Sequence, residues 1–147
     1  MNISKDLTNE LYKKAAVVME TAYVPYSKFK VGAAILDENN NFHIGSNVEN
    51  SAYPIGNCAE ASAISAMITS RGTRIIAIAV TGYGKMLCTP CGGCRQRIRE
   101  FSEPNIPIII GNENGIQKIF TLSDLLPFSF GPEKNDEISK RIKSTFD

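Results

Sequence analysis

Three cysteines and one glutamate constrain this chain more than any other feature. Cys58-Ala59-Glu60 is followed, after thirty residues ending in Pro90, by Cys91-Gly92-Gly93-Cys94. Each group opens a predicted helix. Asn57 or Gly56 can cap a helix running through Ala63, Ile64 and Met67 to a stop at Arg71-Gly72. Pro90 suits the first turn of a second helix, Cys91 to Phe101, with an arginine-rich polar face and Ile98 and Phe101 as inward contacts. Between them, Ile75 to Val80 is a continuous apolar run, the pattern of a strand buried on both faces and central to a sheet. A strand-to-helix crossover places a helix start at the end of the sheet, where ligands usually bind in α/β folds.

The rest of the chain supplies further strands and one more helix. Leu7, Leu11, Ala15, Val18, Met19 and Ala22 recur at steps of three and four, which predicts an amphipathic helix over Asp6–Ala22, ended by Pro25. Val31–Leu36 and Phe42–Ser46 read as a hairpin across the polar turn Asp37–Asn41. Ile106–Ile110 and Gln117–Thr121 read as two more strands, with Gly111–Gly115 as the turn between them. Glu133–Phe146 reads as a charged helix. Strands alternating with helices predict an α/β three-layer sandwich with a mixed sheet of about five strands. At 147 residues, with no repeat or linker, residues 1–147 are expected to form one domain.

Composition narrows the chemistry by exclusion. Sixteen basic residues against fifteen acidic ones leave a formal charge of +1, with no basic stretch to track a phosphate backbone, so no nucleic-acid partner is expected. No apolar run is long enough for a membrane span, and the polar start MNISKDLTNE does not read as a signal peptide. A cytoplasmic location is therefore expected, where the four cysteines remain free thiols available to a metal or to chemistry.

Three thiols from Cys58, Cys91 and Cys94 would leave one zinc position open, as in catalytic rather than structural zinc sites. Helix first turns favour the thiolate form. Glu60, two residues from a ligand yet not needed as one, is placed to move protons to and from a water at the open position. The bland alternatives are a closed structural zinc site or a redox pair, because Cys88 extends the spacing to Cys88-x-x-Cys91-x-x-Cys94. Alone, Glu60 would be an ordinary first-turn acid. The single histidine, His43, reads as a surface or packing residue on the hairpin.

The Cys-x-Glu and Pro-Cys-x-x-Cys pair is a signature of zinc deaminases. The chain resembles the small homotetrameric cytidine deaminases from Tyr23 to Pro132. The resemblance is carried by Ala22-Tyr-Val-Pro-Tyr-Ser-Lys-Phe-Lys-Val-Gly-Ala-Ala34, Asn47-Val-Glu-Asn50, Cys58-Ala-Glu60, Pro90-Cys-Gly-Gly-Cys-Arg-Gln96 and Leu125-Leu-Pro-Phe-Ser-Phe-Gly-Pro132. It implies hydrolytic deamination of cytidine and deoxycytidine in pyrimidine salvage, with Zn2+ as cofactor. It also implies that Phe29 stacks on the pyrimidine, that Asn47 and Glu49 bond the ribose, and that the Ala59 backbone meets the base. Tyr53 and Phe130 match positions that the family uses to complete neighbouring subunits' sites, so a homotetramer is implied. Strand alternation would turn Asn47 and Glu49 to one face.

One departure stands out. Ala61 occupies the position where family members often carry an arginine against the zinc thiolates, which leaves the helix amides or Arg95 to compensate. Rival readings are a deaminase of another nucleoside-like substrate, such as a blasticidin-type antibiotic, and a non-enzymatic zinc-stabilised module with Cys88 as fourth ligand.

Overall fold

A computed structural model describes residues 3–132; the helix expected over Glu133–Phe146 lies outside the described residues. Helix α1, Lys5–Met19, starts on Ser4, whose hydroxyl accepts the Leu7 N–H at 3.2 Å. Strands β1, Val31–Asp37, and β2, Phe42–Ser46, form the expected hairpin. Helix α2 is Ala59–Thr69, strand β3 is Ile75–Gly82, and helix α3 is Gly92–Glu100. Strands β4, Pro107–Asn112, and β5, Gly115–Thr121, follow, then a single turn, α4, Leu122–Leu125.

The sheet order is β2-β1-β3-β4-β5, with β3 in the centre as its unbroken apolar run requires. Only β3 and β4 are parallel, joined by the crossover through α3; the other pairs are antiparallel, so the sheet is mixed. Period-two alternation divides the core. Ala34, Leu36, Ala77, Ala79 and Ile109 face α1 through Leu11 and Ala15, while Ala33, Ile35, Ile78, Val80, Ile108 and Ile110 face α2 and α3 through Ala63, Met67 and Ile98. Two helical layers around one sheet give the three-layer sandwich.

The helices lie so close that side chains are excluded at the contact. A Cβ on Gly45 of β2 would stand 2.4 Å from Ala63 N and 2.7 Å from Ala59 O, so strand backbone rests directly on the first turns of α2. Gly32 of β1 does the same for α1, at 2.0 Å from Ala15 O. These contacts set the height of α2 above the sheet, and with it the position of Cys58 and Glu60.

Element ends depart from the sequence reading where a distant partner takes over. Helix α1 stops at Met19 rather than Ala22, because Tyr23 is drawn into an extended pairing, giving its N–H to Asn47 O and accepting from Glu49 N. Neither Asn57 nor Gly56 caps α2. Cys58 is the N-cap, Asn57 pairs with Val48, and Gly56 closes a short turn on Tyr53. Likewise Cys91 caps α3 and Pro90 precedes the helix. The β4–β5 turn contracts to Glu113-Asn114, since Asn112 Oδ1 takes the Asn114 N–H and Gly115 adopts φ +115°. The arginines of α3 do not form a plain surface face, for Arg99 is buried.

His43 is a packing residue. Its Nε2 lies 2.8 Å from Asp37 Oδ2, and both groups are buried. Asp37 Oδ1 also accepts the N–H groups of Asn39 and Asn41, each at 2.8 Å, which pins the hairpin turn. Burial raises this carboxyl, but the bonds from His43, Asn41 and Asn39 outweigh it and hold the group below its ordinary 3.8. A depressed folded value means that Asp37 contributes its full stability above 3.8 and loses it as pH falls through the lower folded value. Asp37→Asn is expected to cost about 1–3 kcal/mol at neutral pH and to show a difference from the parent that shrinks in acid; paired urea melts over an acid pH series check it.

Candidate active site

The sheet topology brings the two thiol-bearing helix starts together at the carboxyl end of β3, the end where α/β sheets usually take ligands. Cys58 and Cys91 occupy the N-cap positions of α2 and α3, and Cys94 lies in the first turn of α3. Their three sulfurs all lie within 4.8 Å of one another, the one such cluster of His, Cys, Asp or Glu among the described residues. Cys88 stays outside it.

Crowding three thiols has electrostatic consequences. Burial raises Cys58 and Cys94, and the negative charge of Glu60 adds to both. Cys91, the exposed member, is lowered, chiefly by its hydrogen bond with the Cys94 backbone. Three thiolates this close repel one another unless a cation sits among them. Sulfurs bound at about 2.3 Å around tetrahedral zinc lie about 3.8 Å apart, so the observed cluster fits that ion with little movement. Three thiols without a fourth protein donor form an open set.

Glu60 stands beside the cluster and not within it. It is only 4% exposed, and Cys94 Sγ donates to its Oε2 at 3.6 Å. Burial raises its pKa, against the opposing pull of its own backbone N–H, the Cys94 thiol and the Arg97 charge. A carboxyl moved toward neutrality can both accept and return a proton. Arg95 does not take the compensating place expected of it. Its guanidinium is used by Pro90 O, Leu125 O and Thr89 Oγ1, at 2.7, 2.7 and 3.3 Å. Arg97 places a positive charge near Glu60, and its Nη1 lies 3.3 Å from where a Gly93 Cβ would stand, folded back over the first turn of α3.

A cleft of about 530 Å³ opens next to Cys58, lined by Asn47, Glu49 and Tyr53 among others. Asn47 and Glu49 reach the same loop, as alternation predicts. Asn47 donates to Phe29 O at 2.9 Å and accepts from Val31 N at 2.8 Å, while Glu49 Oε1 accepts from Tyr26 N and Ser27 N. Hydrogen bonds from the Ser27 side chain and backbone lower the Glu49 pKa, so it presents a carboxylate. Tyr26 lines the cleft too, its ring 5.5 Å from that of Tyr53 in an edge-on contact. Sequence reasoning missed it as a site residue, although it lies in the segment 22–34.

Phe29 is half exposed, and its ring tip lies over Gly82 beside Cys88. Ala59 is fully buried at the first position of α2, where a backbone N–H has no helical partner. Phe130 projects from the segment after α4 and is 88% exposed. The Cys88 thiol packs against the core and is pushed up to about 11, first by burial and then by the Glu60 charge.

Comparison with known proteins agrees with this geometry. The family model described as the cytidine and deoxycytidylate deaminase zinc-binding region matches residues 5–110. The cytidine deaminase of Halalkalibacterium halodurans is 39% identical over 123 residues, 84% of this chain and 93% of its own length. That of Sporosarcina psychrophila is 40% identical over 124 residues, 84% of this chain and 91% of its own. Among solved structures, the cytidine deaminase from Burkholderia pseudomallei superposes with a TM-score of 0.79 at 35% identity, covering 87% of this chain and 100% of that one. With the fold, the open three-thiol cluster and these matches over most of both chains in agreement, the chain belongs to the cytidine deaminase family.

Proposed function

We propose that this protein is a zinc-dependent cytidine deaminase that converts cytidine and deoxycytidine, with water, to uridine and deoxyuridine plus ammonia. The observation that carries the reading is the three-sulfur cluster with the buried Glu60 carboxyl at its side, opening on a cleft rich in hydrogen-bonding groups. Cys58, Cys91 and Cys94 hold the metal. When bound there, zinc supplies the Lewis acidity that makes hydroxide available at neutral pH. Glu60 Oε2 takes the proton released from water, delivers it to N3 of the base as C4 is attacked, and then carries a proton to the departing amine.

The remaining candidates orient the substrate. Phe29 offers a face to the pyrimidine, held by the Asn47 bond to its carbonyl. The Ala59 N–H is free for the base, and Asn47 and Glu49 hold the ribose hydroxyls. Tyr53 and Phe130 are 71% and 88% exposed in the isolated chain, an unfavourable state for large rings that association of four copies would relieve. We read the assembly as a homotetramer in which these rings complete neighbouring sites. The role in pyrimidine salvage and the cytoplasmic setting belong to the same reading; among the described residues no helix is long and apolar enough to cross a membrane.

Glu60→Gln should retain zinc and fold while turnover falls by about 10²- to 10⁴-fold, the usual worth of a general acid–base group. An ultraviolet assay of cytidine loss, run beside zinc per chain, tests this, and near-normal activity would refute the assignment. Cys88→Ser is expected to leave zinc per chain unchanged, because Cys88 lies outside the sulfur cluster; substantial zinc loss would instead mark a fourth ligand. Sedimentation equilibrium should find four chains of 16.1 kDa in one particle.

A further inference from the structure

The segment after α4 lies outside helix and strand, and α3 side chains tie down both the last residue of α4 and the segment that follows it. Arg95 Nη1 donates to Leu125 O at 2.7 Å, Arg99 Nε donates to Ser129 Oγ at 3.0 Å, and Gln96 Nε2 donates to Phe130 O at 2.9 Å. At Gly131 a Cβ would fall 2.7 Å from Arg99 Cζ, so the backbone passes directly over the buried guanidinium. Between these ties Phe128, at φ +50°, and Phe130 stand 107% and 88% exposed. Apolar rings left in water gain nothing from being fixed within their own chain.

Gln96 is itself exposed, and its side chain supports neither the core nor the thiol cluster. Its side-chain amide donates to the carbonyl of the residue whose ring faces outward. We infer that Gln96 is a positioning residue for the deaminase reaction: its amide fixes the backbone at Phe130, and so the angle at which that ring enters the site of a neighbouring copy. This inference rests on the reading that Phe130 completes a neighbour's site. It also makes α3 a shared element, with the Cys91 and Cys94 thiols at its N-terminus and the neighbour-directed ring held from its next turn.

The test measures steady-state cytidine deamination by the zinc-loaded protein for Gln96→Ala, Phe130→Ala and the double variant. Gln96→Ala is expected to raise KM about three- to tenfold, the fold-change of one lost hydrogen bond, with kcat nearly unchanged and zinc per chain intact. Phe130→Ala should raise KM as well, and adding Gln96→Ala to it should change nothing further, because Gln96 acts through that ring. If Phe130→Ala raises KM but Gln96→Ala does not, the positioning role is overturned while the shared site stands. If the two effects simply add, Gln96 works elsewhere and the role is likewise overturned. If Phe130→Ala leaves KM unchanged, the shared site and the positioning role fail together.

Discussion

The convergence of three sulfurs within 4.8 Å, at the mouths of two helices, is the constraint around which the rest of the structure is arranged. Thiolates at that separation repel strongly unless a cation lies between them, and unfolded chain has no reason to bring residues 58 and 91 together. The sheet does so by placing β3 between the two helices in sequence, with α2 packed on the neighbouring β1 and β2 and α3 leading from β3 to β4. Close backbone contact at Gly45 sets the height of α2 above the sheet, and the crossover from β3 through α3 to β4 brings the second helix start to the same edge. Cys58 and Cys91 as N-caps then stand at the positive ends of both helices.

The parts of this arrangement legible in the sequence were those with local causes. Ile75–Val80 reads as a central strand because no polar residue interrupts it, and Cys58 and Cys91 read as helix starts because turn-forming residues precede apolar periodicity. The parts that were not legible depend on partners far along the chain. Tyr23 leaves the helical pattern for Asn47 and Glu49, which no window around residue 23 contains. Sequence leaves His43 as either a surface or a packing residue, and only Asp37, six positions earlier and across the hairpin turn, decides for packing. Arg99 has the spacing of a surface arginine but is buried under Gly131. The resemblance marks Asn47 and Glu49 as candidate ribose contacts, while a second task, bracing the loop 26–31, follows only from the fold.

That second task links binding to fold. A side chain that holds loop backbone has its rotamer set before substrate arrives, so less conformational entropy remains to be lost on binding. Glu49 keeps Oε1 on Tyr26 and Ser27, and the same bonds lower its pKa, so the group that braces the loop is also held as an acceptor. Preorganisation and charge state share one cause.

The positive charges around the thiols lie away from Ala61. Ala61 is buried and carries no donor, and Arg95, the nearest arginine in sequence to Cys94, is occupied by Pro90 O and Leu125 O. Positive charge comes instead from Arg97, folded over the first turn of α3, where it acts on Glu60. An exposed guanidinium is screened by water and so tunes a buried carboxyl more weakly than a buried partner would. Within the cluster a backbone amide, that of Cys94, lowers the Cys91 thiol, and a screened arginine acts on Glu60. Burial remains the dominant influence on the carboxyl and keeps it raised, the state that the proposed role as a proton carrier calls for.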